Sequence, residues 1–69
     1  MSFHPGDMVK LNKDIVRIEG PYAKKGDSGL ITEIFYSYND VYEKRPNAKV
    51  EMDGKIKTFR LTSLDRINE

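Results

Sequence analysis

Ala48-Lys49-Val50-Glu51-Met52-Asp53-Gly54-Lys55-Ile56-Lys57-Thr58-Phe59-Arg60-Leu61 reads as two extended runs about one tight turn. Asp-Gly is favoured at two-residue hairpin turns because both central positions need positive φ, which Gly adopts freely and Asp tolerates. Residues 48–52 and 55–61 are therefore predicted to pair as antiparallel strands. A strict two-residue turn sets Val50, Met52 and Phe59 on one face but adds Lys55 and Lys57 to it. That mixture predicts a longer loop or a bulge near the turn.

Working outward, the turn signals Pro5-Gly6-Asp7, Gly20-Pro21, Gly26-Asp27-Ser28-Gly29, Asn39-Asp40 and Pro46-Asn47 cut the rest of the chain into strand-length pieces. Met8-Val9-Lys10-Leu11 and Ile15-Val16-Arg17-Ile18 alternate as half-buried strands do, interrupted by Asn12-Lys13-Asp14. Residues 30–38, rich in β-branched and aromatic side chains, form the longest strand candidate. Thr62-Ser63-Leu64-Asp65 is too short for an ordinary helix and predicts one 3₁₀ turn before a closing strand at Arg66-Ile67. The pattern predicts an all-β fold over residues 1–69: a small five-stranded SH3-like barrel with one 3₁₀ turn before the last strand. Closing a sheet on itself lets so short a chain avoid long exposed edges. An oligonucleotide-binding barrel is the alternative, and it normally needs more residues.

Composition narrows the chemistry. A chain of 69 residues has room for one small core and no deep substrate cavity. With no cysteine there is no disulfide framework or thiolate site, and a single histidine excludes a multi-histidine metal cluster. Twelve Lys and Arg against eleven Asp and Glu give a net charge of +1, so any basic patch must be local. No run approaches the roughly 18 apolar residues of a membrane span, and the first residues lack the pattern of a signal peptide. A cytoplasmic, monomeric protein without cofactor or metal is the expectation.

Pro5-Gly6-Asp7-Met8-Val9-Lys10-Leu11 and then Glu19-Gly20-Pro21-Tyr22-Ala23-Lys24-Lys25-Gly26-Asp27-Ser28-Gly29-Leu30-Ile31-Thr32-Glu33-Ile34 resemble the KOW motif of ribosomal proteins and transcription elongation factors. The matching parts are a Gly-Asp-x-Val opening, a Gly-Pro-aromatic corner and a glycine-led return strand. The second half, through Leu64-Asp65-Arg66-Ile67, looks like the ending of many stand-alone SH3-like barrels. Overall length and layout are similar to the small stromal subunit of photosystem I. These resemblances imply an SH3-like fold, and the KOW likeness implies partners in transcription or translation machinery.

Candidate sites follow from residue type. Tyr36, Tyr38 and Tyr42, followed by Lys44 and Arg45, place aromatics beside cations, as a docking or base-stacking surface requires. The 37–47 segment is predicted to be a long loop, which in a compact domain is usually functional or disordered. Asp40 and Glu43 within it would repel phosphate, which favours a protein partner. Tyr22 joins this predicted partner-binding set. Lys55, Lys57 and Arg60, with Lys10 and Arg17, could share one wall, or form a solvated face interleaved with Glu51 and Glu19; Lys24, Lys25, Lys55, Lys57 and Arg60 are the candidate nucleic-acid contacts. Lys24-Lys25-Gly26-Asp27-Ser28-Gly29 could cradle a phosphate on its backbone N–H groups, although no P-loop spacing is present and a plain turn is the simpler reading. His4 has no nucleophile at a recognisable spacing, and no carboxylate pair is visibly enclosed. The chain therefore reads as a non-enzymatic binding module docking on a larger protein or ribonucleoprotein machine, with a virus-encoded or accessory regulator as the kind of protein that suits its size. Direct RNA or DNA binding is one alternative; a small structural subunit of a large complex is the other.

Overall fold

The computed structural model describes residues 3–38 and 44–67. Seven strands run in the order β1 (Met8–Leu11), β2 (Ile15–Arg17), β3 (Gly20–Ala23), β4 (Ser28–Tyr38), β5 (Lys44–Met52), β6 (Lys55–Arg60) and β7 (Leu64–Arg66). One 3₁₀ turn, Leu61–Ser63, precedes β7. The chain is thus all-β as expected, but with seven strands among the described residues rather than five. Gly20–Ala23 is a strand where the sequence predicts a Gly-Pro turn, and β5 begins at Lys44 rather than 48. Of the expected 37–47 loop, residues 37–38 and 44–47 are β-ribbon, and the expected Asn39-Asp40 turn lies outside the described residues. The 3₁₀ turn and closing strand each lie one or more residues earlier than the sequence suggests.

Five strands form one antiparallel sheet in the order β6-β5-β4-β1-β7, and β2 pairs with β3 as a separate hairpin. The backbone ladders do not join β6 to β7, so a closed barrel is not seen. The β5–β6 turn is a strict two-residue one: Asp53 and Gly54 have φ of 50° and 78°, and Met52 pairs with Lys55. No bulge follows it, and Val50 lies opposite Lys57 as the strict register requires. The mixed face is resolved another way. Lys57 Nζ donates to the Tyr22 carbonyl of the β2–β3 hairpin at 2.8 Å, and Lys55, next to the turn, stays exposed.

Alternation carries the core. Val9 and Leu11 of β1, Ile31 of β4, Ala48, Val50 and Met52 of β5, Phe59 of β6 and Leu64 of β7 are buried, with Ala23 from the hairpin. Ile15, Tyr22, Ile34, Leu61 and Phe3 pack on this cluster. A bulge between Ile31 and Glu33 interrupts the β4–β5 register, and Thr32 Oγ1 donates across it to the Lys49 carbonyl at 3.2 Å. An extra residue there bends β4, as bulges do.

The open edge of β6 is covered by side chains. Thr58 N–H donates to the Tyr22 hydroxyl at 3.1 Å, and Arg17 Nη2 donates to the Thr58 carbonyl at 3.0 Å. An edge strand presents unpaired donors and acceptors to any passing chain, so side-chain partners there also discourage aggregation.

Candidate functional site

The ribbon formed by the ends of β4 and β5 is the main place where the candidate residues gather. β6 stops at Arg60, which pairs with Asn47, so the pairs Tyr36↔Pro46, Ser37↔Arg45 and Tyr38↔Lys44 extend past it as two strands alone. This explains Pro46 in a strand. Without a β6 partner the position is an edge, where proline's missing N–H costs no ladder bond.

Tyr36 is 55% exposed, and Lys44 Nζ lies 4.3 Å from the centroid of its ring. At an exposed site such a cation–π contact contributes about 0.5–1 kcal/mol, enough to bias the lysine over the ring. The root of the ribbon is braced by Asn47. It is 8% exposed, and its Nδ2 donates to Ser37 Oγ at 2.7 Å and to the Arg45 carbonyl at 3.1 Å. Arg45, Pro46, Arg60 and Thr62 line a shallow groove of about 230 Å³ beside it. Tyr38 enters by its backbone pairing with Lys44, and Tyr42 lies outside the described residues.

Tyr22 belongs elsewhere. Its ring is half-buried, meets Phe59 edge-on with centroids 5.5 Å apart, and carries the Arg17 guanidinium at 4.3 Å and Lys57 Nζ at 5.3 Å. Its hydroxyl and carbonyl already hold Thr58 and Lys57. The residue fastens the hairpin to the sheet.

The expected wall of cations is split. Lys10 alternates with buried Val9 and Leu11 and so faces away from the core, whereas Lys57 shares the core side of β6 with Phe59. Lys55 and Lys57 line a cleft of about 400 Å³ with Gly26, Asp27, Ser28 and Asp53, which brings the β5–β6 turn next to the loop holding Lys24 and Lys25. Arg60 is not among them. It lines a second cleft of about 440 Å³, between the hairpin and the sheet, with Arg17, Asn47, Phe59 and Ser63.

Four of the six backbone N–H groups of the phosphate cradle are already taken. Lys24 N–H donates to Asp27 Oδ2 at 3.0 Å, Lys25 N–H to Asp14 Oδ1 at 2.8 Å, Gly26 N–H to the Leu11 carbonyl at 2.9 Å and Asp27 N–H to the Lys24 carbonyl at 3.0 Å. Two carboxylates occupy the place an anion would take. His4 is exposed and sits in a turn, its backbone N–H donating to Asp7 Oδ2 at 2.8 Å.

Among the described residues, no three His, Cys, Asp or Glu side chains gather in a way that could hold a metal ion, and no helix is long and apolar enough to cross a membrane. Sequence reading missed two members of the ribbon site. Pro46 and Asn47 look like a turn, and the signal that could have found them is the unbroken aromatic strand opposite, which supplies a ladder for them to join. No family model, curated protein or solved structure matches the chain.

Proposed function

We propose that the chain is a non-catalytic binding module, an SH3-like barrel of KOW character, that docks on a larger protein or ribonucleoprotein machine through the β4–β5 ribbon. The observation that carries this reading is the ribbon itself: two strands running past the end of β6, with Tyr36 exposed under Lys44 and a groove of Arg45, Pro46 and Arg60 at its root. Aromatic and arginine side chains dominate binding energy at protein interfaces. A braced ribbon loses less conformational entropy on docking than a free loop would. The KOW resemblance makes transcription or translation machinery, in a cytoplasmic setting, the partner class.

The test is capture from nuclease-treated lysate with the wild-type chain beside Tyr36→Ala. A defined protein partner whose recovery falls at least about tenfold with the substitution, the loss of one hot-spot residue, supports the reading. Recovery indifferent to Tyr36 overturns it.

A second reading rests on the cleft that brings Lys55 and Lys57 next to the loop of Lys24 and Lys25. Under it the chain contacts RNA or DNA there, with Asp27 and Asp53 in the same cleft opposing phosphate. Charge reversal of Lys24 and Lys25 distinguishes the two.

A further inference from the structure

The face of the five-stranded sheet opposite the core carries an apolar row where alternation would place polar groups. Met8 pairs with Leu30, Leu30 with Glu51 and Glu51 with Ile56, one residue from each of β1, β4, β5 and β6. Ile67, just past β7, continues the row, its N–H donating to the Met8 carbonyl at 3.0 Å. Ile67, Met8, Leu30 and Ile56 are 40, 45, 36 and 56% exposed. Isolated exposed apolar residues, such as Val16 and Ile18 on the hairpin, are ordinary. Four of five positions in one row are not, and a contiguous apolar patch marks an interaction surface. At about 4.8 Å per strand the row spans about 20 Å.

The charges beside this row flank β4, its middle strand, with both signs on each side: exposed Asp65 of β7 pairs across from Lys10, and Lys49 of β5, two residues from Glu51, is held by Glu33 at 3.4 Å. Exposed Lys10 lies on the β1 side, two residues from Met8, and exposed Glu51 lies on the β5 side within the row. Asp53, in the turn that ends β5, lies on the same side as Glu51.

We propose that this face pairs with the same face of a second copy about a two-fold axis running along β4. That axis sets Leu30 against Leu30, Ile56 against Ile67 and Met8 against Glu51. It also brings Lys10 of each copy beside Glu51 of the other, so the same ion pair forms twice. A two-fold axis running across the strands would set Glu51 on Glu51, and the charge pattern selects against it. Near-aligned sheets are an ordinary way to pack two faces. A stable interface buries about 800 Å² per partner, roughly one-sixth of this chain's 5111 Å² surface. The row and its flanks cover less, so the association is weak and concentration-dependent. It replaces the monomer expected from the sequence.

The test is sedimentation equilibrium of the full chain from micromolar to millimolar concentration, using wild type, Lys10→Glu, Glu51→Lys and an equimolar mixture of the two variants. Each substitution alone places like charges together twice per dimer, so the dissociation constant rises at least about tenfold. In the mixture the two substituted side chains face each other with opposite charge at one contact, while the other contact keeps its native Lys10 and Glu51. Association of unlike chains therefore returns to near the wild-type strength, which also shows that both variants are folded. A wild type that stays monomeric at millimolar concentration overturns the proposal, as does dimerisation indifferent to both substitutions or a mixture that fails to associate. Tyr36 lies outside the row, so Tyr36→Ala leaves the dimer intact, and failure of the docking reading is seen separately.

Discussion

Gly29 occupies a position in β4 where a side chain has nowhere to go. A methyl group there would overlap the Glu51 carbonyl oxygen and press on the Val50 and Met52 side chains. Because one obstacle is backbone, relief requires β4 and β5 to separate locally. Gly29→Ala is expected to cost at least about 1–3 kcal/mol, the range for overpacked cores, and urea denaturation read by circular dichroism would measure it. Gly54→Ala would act differently, through its φ of 78° with open space around it. In the sequence the two glycines look alike, each closing a run of turn residues. The atoms that make Gly29 obligatory lie more than twenty positions away, so only the pairing of strands reveals its role. Asn47 was hidden for a related reason: next to proline it resembles a turn residue, and its brace partner Ser37 lies across the ribbon.

The β2–β3 hairpin is fastened to the sheet mainly by Tyr22 and Arg17, which satisfy the Thr58 N–H and C=O on the open edge of β6. In the double variant Tyr22→Phe/Arg17→Ala both edge groups lose their partners while the Tyr22–Phe59 ring contact remains. At about 0.5–1.5 kcal/mol per bond, stability is expected to fall by about 1–3 kcal/mol. The sharper readout is hydrogen exchange: the Thr58 amide should lose protection while buried core amides keep theirs apart from the global drop. Equal loss everywhere would mean that the hairpin and sheet unfold as one unit. At this scale, period-two alternation made β1 and β2 legible, β-branched and aromatic content made β4 legible, and Asp53-Gly54 made the β5–β6 hairpin legible. β3 was not, since Gly-Pro carries a turn signal and Gly20-Pro21-Tyr22-Ala23 shows no alternation of apolar with charged residues. The start of β5 was not either, because Lys-Arg-Pro-Asn has little β propensity of its own and becomes extended by pairing with Phe35, Tyr36, Ser37 and Tyr38. The sequence also allowed one wall of cations, but parity along β6 puts Lys57 with the core and sends Arg60 elsewhere.

Across the whole molecule, a net charge of +1 conceals separate regions. The ribbon presents Tyr36, Lys44 and Arg45; the cleft by the β5–β6 turn mixes Lys55 and Lys57 with Asp27 and Asp53; the outer sheet face carries the apolar row. The first two regions predict different responses to salt. If Lys24, Lys25, Lys55 and Lys57 each neutralised one phosphate of duplex DNA, affinity would fall by about 50-fold between 0.1 and 0.3 M salt, from a slope of about −0.9 per phosphate. Docking through an aromatic anchor, with most of its energy from desolvated area, should weaken far less over the same range, by about threefold. Lys24→Glu/Lys25→Glu sharpens the contrast: it should leave ribbon docking nearly unchanged, whereas a duplex contact should lose both most of its affinity and about half of its salt slope. Titrating the captured partner, and a mixed-sequence duplex, against both chains at the two salt concentrations measures these responses together. A shallow slope with indifference to the lysines supports the ribbon, and a steep slope that charge reversal cuts by about half moves function to the cleft.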